Sequence, residues 1–251
     1  MLKGKNILVV GATGKIGENL VQNIILNGGT VIGTSRHKKK VEELNYKFNN
    51  LGSNSKAFKV NLLDEKSIKT FLKKIKNTSI NGYVHNAYNA MDYAPVGKVP
   101  WGYWARNILI SLGSFEKISS KLVSNISISK IESIVTISSI YAKRAPQFEM
   151  YPKKMNPNPI YYGATKAALL NASLYLAALW GKEGVRVNSV APGGIASDQE
   201  FAFLKKYKKT VPLKRMVSKK EVVNAIIFLL SSKSTGVNGI NFTIDAGKTV
   251  W

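Results

Sequence analysis

Cysteine is absent from the 251-residue chain, which excludes disulfides and thiolate zinc sites and leaves the redox compartment open. Long, pure apolar runs are absent too. The nearest candidate, Leu169 to Trp180, is too short to cross a bilayer and contains Asn171. The opening "MLKGKNILVV" passes directly into a strand-like run, without the longer apolar region and cleavage site of a signal peptide. No Gly/Ser linker, internal repeat or low-complexity tract divides the sequence. The expectation is one cytoplasmic globular domain over residues 1–251, with no membrane contact and no metal. Its 45% hydrophobic content suffices for a sizeable core.

Acidic residues are scarce: 14 Asp+Glu stand against 37 Lys+Arg, a formal charge of +23. Such an excess suits a polyanionic partner, whether nucleic acid, an acidic carrier protein or a membrane surface. The lysines are scattered, however, from Lys38–Lys40 through Lys73, Lys74 and Lys76 to the run at Lys205–Lys209 and the pair Lys219 and Lys220. Lys, Asn and Ile are also abundant together, as an AT-rich genome encodes them. Scattered charge of this kind reads as solvated faces, so a nucleic-acid partner is not expected.

What is present is an alternation. "NILVV" is a continuous apolar run of the kind a strand buried on both faces needs. A Gly-rich turn and a helix from about Ile16 to Leu26 follow. "TVIGTSR", "KAFKVNL", "INGYVHNA", "ESIVTISS", "VRVNSVAPGG" and "INFTID" read as further strands. Helices are expected around 41–48, from Asp64 as N-cap to Lys76, over 101–123, from Ile160 and over 219–230. About seven strands alternating with helices imply an α/β fold, a doubly wound Rossmann-type parallel sheet. Ligands of such sheets sit outside the carboxyl ends of the strands, where chain order reverses.

The turn "VVGATGKIGENL" places Gly11, Gly14 and Gly17 between the first strand and helix. Glycines there permit a tight turn, close approach of phosphate and close helix–strand packing, and the helix N-terminus attracts a pyrophosphate. Thr13, Lys15 and Ile16 share this turn and are expected at the same dinucleotide. An NAD site usually carries an acid at the end of the second strand; this chain has Thr34, Ser35 and Arg36, with no acid until Glu42. Arg36 can fork onto a 2′-phosphate, with Lys15 and His37 or Lys38 adding charge. NADP(H) is expected over NAD(H).

Tyr162 and Lys166 are spaced i, i+4 on one helical face. Their segment "YGATKAAL" resembles the YxxxK active site of the short-chain dehydrogenase/reductase family. The glycine turn, "HNA" at Asn86, "ISS" at Ser138 and Ser139, "RVNSVAPGGI" and the terminal "IDAG" follow that family's order across essentially the whole chain. The resemblance implies a carbonyl/alcohol oxidoreductase with Tyr162 as acid/base. Lys166 would lower its pKa and hold the nicotinamide ribose, and Ser139 would hold the substrate oxygen. Asn61, Leu62, Asn86, Ala87, Pro192, Gly193, Ile195 and Ser197 are carried over as cofactor contacts. A homodimer or homotetramer is implied through the helix bearing Tyr162 and the one before it.

Departures from the family bear on function. Lys15 stands where glycine is common, and Tyr88 follows "HNA" where glycine is usual. The family's fourth catalytic residue, an asparagine, has no clear match: Ile110 occupies its place and Asn107, one turn away, is a candidate. His85 reads as a strand-end packing residue. The stretch of about 141–160, between Ser139 and Tyr162, is a long insert rich in Pro, aromatic and basic residues. It resembles the subgroup linked to flagellin-modification, nonulosonic-acid and surface-polysaccharide genes, which suggests a sugar phosphate or nucleotide sugar. Tyr88, Arg144, Phe148, Glu149, Tyr151 and Gly194 are the candidate substrate contacts; Lys153 could pair with phosphate. The alternatives are a 3-oxoacyl-(acyl carrier protein) reductase and, from another class, a non-catalytic NADP sensor or nucleic-acid-binding protein.

Overall fold

The computed structural model describes residues 1–88, 93–153 and 155–250. Lys154, within the insert, lies outside them. The strands are β1 (Asn6–Val10), β2 (Thr30–Ser35), β3 (Lys56–Lys59), β4 (Gly82–His85), β5 (Ser133–Ile137), β6 (Arg186–Pro192) and β7 (Asn241–Ile244). All pair in parallel in the order β3-β2-β1-β4-β5-β6-β7. The expected doubly wound sheet is thus the observed one, with chain order reversing between β1 and β4.

The helices are α1 (Lys15–Leu26), α2 (Lys38–Asn50), α3 (Glu65–Lys74), α4 (Trp101–Ile108), α5 (Ser114–Ser124), α6 (Ile126–Ser129), α7 (Ile160–Trp180), α8 (Phe201–Lys209) and α9 (Lys219–Leu230). Two apolar layers sandwich the sheet. On one face α1, α2 and α9 pack Leu20, Ile24, Phe48, Val222 and Ile226 against Ile7, Val9 and Val135. On the other, α3, α5 and α7 pack Phe71, Phe115, Ile118, Leu169 and Trp180 against Leu8, Tyr83 and Ile134. Each such side chain, fully buried, contributes roughly 1.5–3 kcal/mol. No helix among the described residues is long and apolar enough to cross a membrane.

Local chemistry sets the helix ends. Asp64 caps α3 by accepting from the Lys66 amide at 2.9 Å, and Ser218 with Glu221 forms a capping box on α9. Helix α7 buries Tyr161, Thr165, Lys166, Leu169, Ser173, Leu176 and Trp180, a stripe at helical spacing. Its opposite side is apolar as well, leaving Leu174, Tyr175 and Leu179 exposed.

The helix expected over 101–123 is divided. A π-helical segment, Leu109–Gly113, separates α4 from α5. The Ile110 carbonyl within it accepts from Ser114 Oγ at 2.6 Å and from His85 Nε2 at 3.1 Å, so two side chains draw on a group an α-helix would keep for its own ladder. Strand β5 ends at Ile137, ahead of Ser138 and Ser139. Helix α8 is also new: its lysine run reads as a solvated face, and its burial rests on Phe203 and Tyr207, one turn apart.

Candidate active site

A cleft of about 550 Å³ opens at the carboxyl ends of the strands, over the β1/β4 switch point. Its floor is the glycine turn. Gly11 adopts φ +83° with the Ala87 backbone only 2.9 Å from where a Cβ would stand. At Gly17 a Cβ would lie 2.2 Å from the Gly11 carbonyl, so this glycine lets α1 pack against the turn rather than lining the cleft. Gly14 is roomier, with its nearest neighbours at 3.6 Å, and caps α1 with no side-chain hydrogen bond. The first-turn amides of α1 therefore meet a cradle of the size and polarity that phosphate needs.

Thr13, Lys15, Ile16, Ser35, Arg36, Asn61, Leu62, Asn86, Ala87, Pro192, Gly193 and Ile195 all line this cleft, as do Tyr88, Tyr162 and Lys166. Thr13 and Ser35 join hydroxyls at 2.8 Å, tying the turn to β2. Asn86 donates to the Gly11 carbonyl at 2.8 Å and braces β4 against β1. Arg36 Nε lies 2.9 Å from His37 Nε2. Asn61 Oδ1 accepts from the Leu63 amide at 3.2 Å. Sequence reasoning missed Lys40, which reaches the cleft from the first turn of α2; the basic run Lys38–Lys40 was the available signal. Among the described residues, the walls hold Lys15, Arg36, Lys40 and Lys166 and no carboxylate. Glu42, the nearest acid along the chain, pairs at the surface with Lys38 at 3.8 Å.

Tyr162 and Lys166 project from the first turns of α7. Lys166 is 3% exposed and donates from Nζ to the Ile137 carbonyl at 2.6 Å. The same nitrogen lies 5.4 Å from the Tyr88 ring centroid and 5.9 Å from that of Tyr162. Burial lowers its pKa to about 8. Tyr162 departs from the expectation. Its enclosure pushes the phenol pKa up, a hydrogen bond from the Ser139 side chain pulls it down, and Tyr151 adds a smaller upward push. The net direction is upward because desolvation of the phenolate outweighs the bond.

Ser139 sits on the Tyr162 hydroxyl and accepts from the Tyr141 amide at 3.2 Å. Ser138 lines the cleft but donates to the Lys166 carbonyl at 3.1 Å. The structure does not bring Asn107 to the cleft. Buried in α4, it turns its amide back onto the Tyr103 carbonyl at 2.9 Å, while Ile110 reaches the cleft from the π segment. His85 is buried against Tyr83 and Phe115. Its bond to the Ile110 carbonyl requires the proton on Nε2, so Nδ1 accepts from the Tyr83 hydroxyl at 2.7 Å.

The remaining candidates lie away from the cleft walls. Ser197 donates its amide to Gln199 Oε1 at 2.7 Å. Gly194 donates to the Tyr207 hydroxyl at 2.9 Å. Arg144 reaches the Thr249 carbonyl at 3.3 Å, and the Glu149 carbonyl accepts from Lys206 at 2.8 Å. Phe148 is 62% exposed. Tyr151 shares a hydroxyl contact of 3.0 Å with Tyr141 and packs on Phe203. The insert is docked on α8 through Met150, Tyr151 and Met155. Lys248, unnoticed in the sequence, joins Gln147, Met150 and Thr210 beneath it.

The sheet and the position of its cleft define a Rossmann-type dinucleotide-binding fold. A family model described as enoyl-(acyl carrier protein) reductase matches residues 11–249, and the chain belongs to the short-chain dehydrogenase/reductase family. A post-translational flagellin modification protein A of Campylobacter coli is 28% identical over 98% of this chain and 99% of the relative. A 3-oxoacyl-(acyl-carrier-protein) reductase FabG of Haemophilus influenzae is 27% identical over 98% of each. A short-chain dehydrogenase from Leptospira borgpetersenii with bound NAD+ superposes with a TM-score of 0.87 at 25% identity, over 99% of this chain and 94% of that one. A gluconate 5-dehydrogenase from Burkholderia cenocepacia, solved with NADP and tartrate, shares the fold with a TM-score of 0.88 at 22% identity, over 100% and 97% of the two chains.

Proposed function

We propose that this chain is an NADP(H)-dependent oxidoreductase interconverting a carbonyl and a secondary alcohol on a sugar phosphate or nucleotide-linked sugar. The observation that carries the reading is that Tyr162, hydrogen-bonded by Ser139, and Lys166 line one cleft whose described walls hold four cations and no acid. A nicotinamide held in this cleft would supply or accept the hydride. Tyr162 gives the substrate oxygen its proton in reduction and takes it back in oxidation. Ser139, already bonded to that hydroxyl, holds the same oxygen. Lys166 places positive charge where a phenolate forms, which offsets the desolvation that pushes Tyr162 upward. Arg36, with Lys40 and Lys15, favours the 2′-phosphate.

Titration of NADPH and NADH by fluorescence tests the cofactor. NADPH binds more tightly to the parent, and Arg36→Ala removes that preference; equal affinities in the parent would refute the 2′-phosphate argument. A panel of sugar phosphates and nucleotide sugars, followed by NADPH consumption, tests the substrate class. The cytoplasmic placement and an isologous dimer through the exposed Leu174, Tyr175 and Leu179 belong to the same reading. A second reading, 3-oxoacyl thioester reduction, draws on the Haemophilus influenzae relative and the basic surface. Acetoacetyl thioester turnover exceeding that of every sugar would select it. Salt-sensitive DNA retention without any NADPH binding would select a non-catalytic role.

A further inference from the structure

Tyr88 follows Asn86 and Ala87 at the carboxyl end of β4 and lines the cleft. Its ring meets that of Tyr162 edge-on, with centroids 5.0 Å apart and planes at 79°. Lys166 Nζ stands 5.4 Å from the Tyr88 centroid, closer than the 5.9 Å to Tyr162. Three side chains from one strand end and one helix thus form one contact group around a buried ammonium.

That ammonium needs compensation. The groups facing it are the Ile137 carbonyl at the end of β5, Tyr162 on its own helix, Tyr88 after β4, and His85, whose ring Lys166 helps to keep neutral. No carboxylate stands among the described residues of the cleft walls. An aromatic face carries the negative part of the ring quadrupole and stabilises a cation within about 6 Å of the centroid. Burial and the neighbouring Tyr161 and Tyr162 hold the Tyr88 phenol protonated, so the ring offers a neutral face and not a phenolate.

We propose that Tyr88 is a positioning residue for the reacting pair: its face shares the charge of Lys166 and its edge contact sets the plane of the Tyr162 ring. The proposal rests on the reading of Tyr162 and Lys166 given above. The ring thereby keeps Lys166 an ammonium at neutral pH in a site that otherwise disfavours charge. It also replaces open space beside the reactive hydroxyl with an aromatic wall, which narrows the substrates that can present a carbonyl there.

The test follows the Lys166 side chain directly. Protein labelled with ¹³C-lysine is titrated by NMR, and the Lys166 ε-carbon signal is assigned by its loss in Lys166→Arg. In the parent it titrates near 8. Tyr88→Phe keeps the ring face and leaves the midpoint within about 0.3 units of the parent, whereas Tyr88→Leu fills the space without a face and lowers it by about 0.5–1 unit, a three- to tenfold change. Tyr88→Met serves where the leucine variant does not fold, with the same expected fall. A leucine or methionine midpoint equal to or above that of phenylalanine would overturn the proposal, since the ring would then act only by excluding water. The readout requires no substrate. Retained turnover in Tyr162→Phe would instead sink the reading of the reacting pair and leave the titration result standing.

Discussion

Replacing Lys166 by methionine should make the protein inactive and, at neutral pH, more stable. The folded chain binds the Lys166 proton only up to about pH 8, whereas an unfolded chain holds it up to the ordinary 10.5. Between those values the unfolded state carries more protons, so stability rises with pH across that window; below pH 8 the full penalty of burying the ammonium applies. A shift of that size corresponds to about 3 kcal/mol. Methionine removes the penalty and also the 2.6 Å bond to the Ile137 carbonyl, whose loss costs about 1–3 kcal/mol. The net gain at pH 7 is therefore smaller than 3 kcal/mol, but its pH dependence is not affected by that offset. Urea unfolding of both proteins from pH 6 to pH 10.5 reads the difference. The advantage of Lys166→Met should shrink by about 3 kcal/mol as pH rises through the window. General relief of repulsion in a chain of charge +23 occurs in both proteins and cancels. A difference that stays flat with pH would refute the reasoning.

Tyr162→Phe should lower turnover at least about 100-fold, the scale of a lost general acid, while NADPH affinity by fluorescence stays within about twofold. His85, pushed down to about 3 by burial and by Lys166, is neutral in the fold but protonated when unfolded below pH 6.5. Stability should fall as pH drops from 6.5 toward 3, by up to about 5 kcal/mol, and His85→Phe should flatten that limb in acid-titrated unfolding. Lys248→Met removes the bonds from the C-terminal segment to Gln147 and Thr210; tryptic cleavage after Lys143 or Arg144 should accelerate about fivefold or more, read by mass spectrometry of timed digests.

Sequence reveals what is written in local chemistry. The alternation of strands and helices, the cap at Asp64, and the placing of Gly11, Tyr162 and Lys166 all depend on residue type at short spacing, and each is found where that spacing puts it. The π segment was hidden because its cause is tertiary. His85 reaches the Ile110 carbonyl across a chain separation of 25 residues, and no helical periodicity carries that information. Asn107 is a candidate by its side-chain chemistry, yet its buried amide nitrogen bonds one turn back on its own helix. Lys248 escaped notice because a single lysine in a basic chain carries no signal until its partners from the insert and α8 are assembled around it. The Tyr162 pKa shows the same division. A lysine four residues on predicts a downward shift, but the sign is decided by how much solvent the whole cleft excludes. Spacing therefore locates the reacting groups, and enclosure sets their energies. In this cleft the enclosure includes Tyr88, the residue by which the chain departs from its family's glycine.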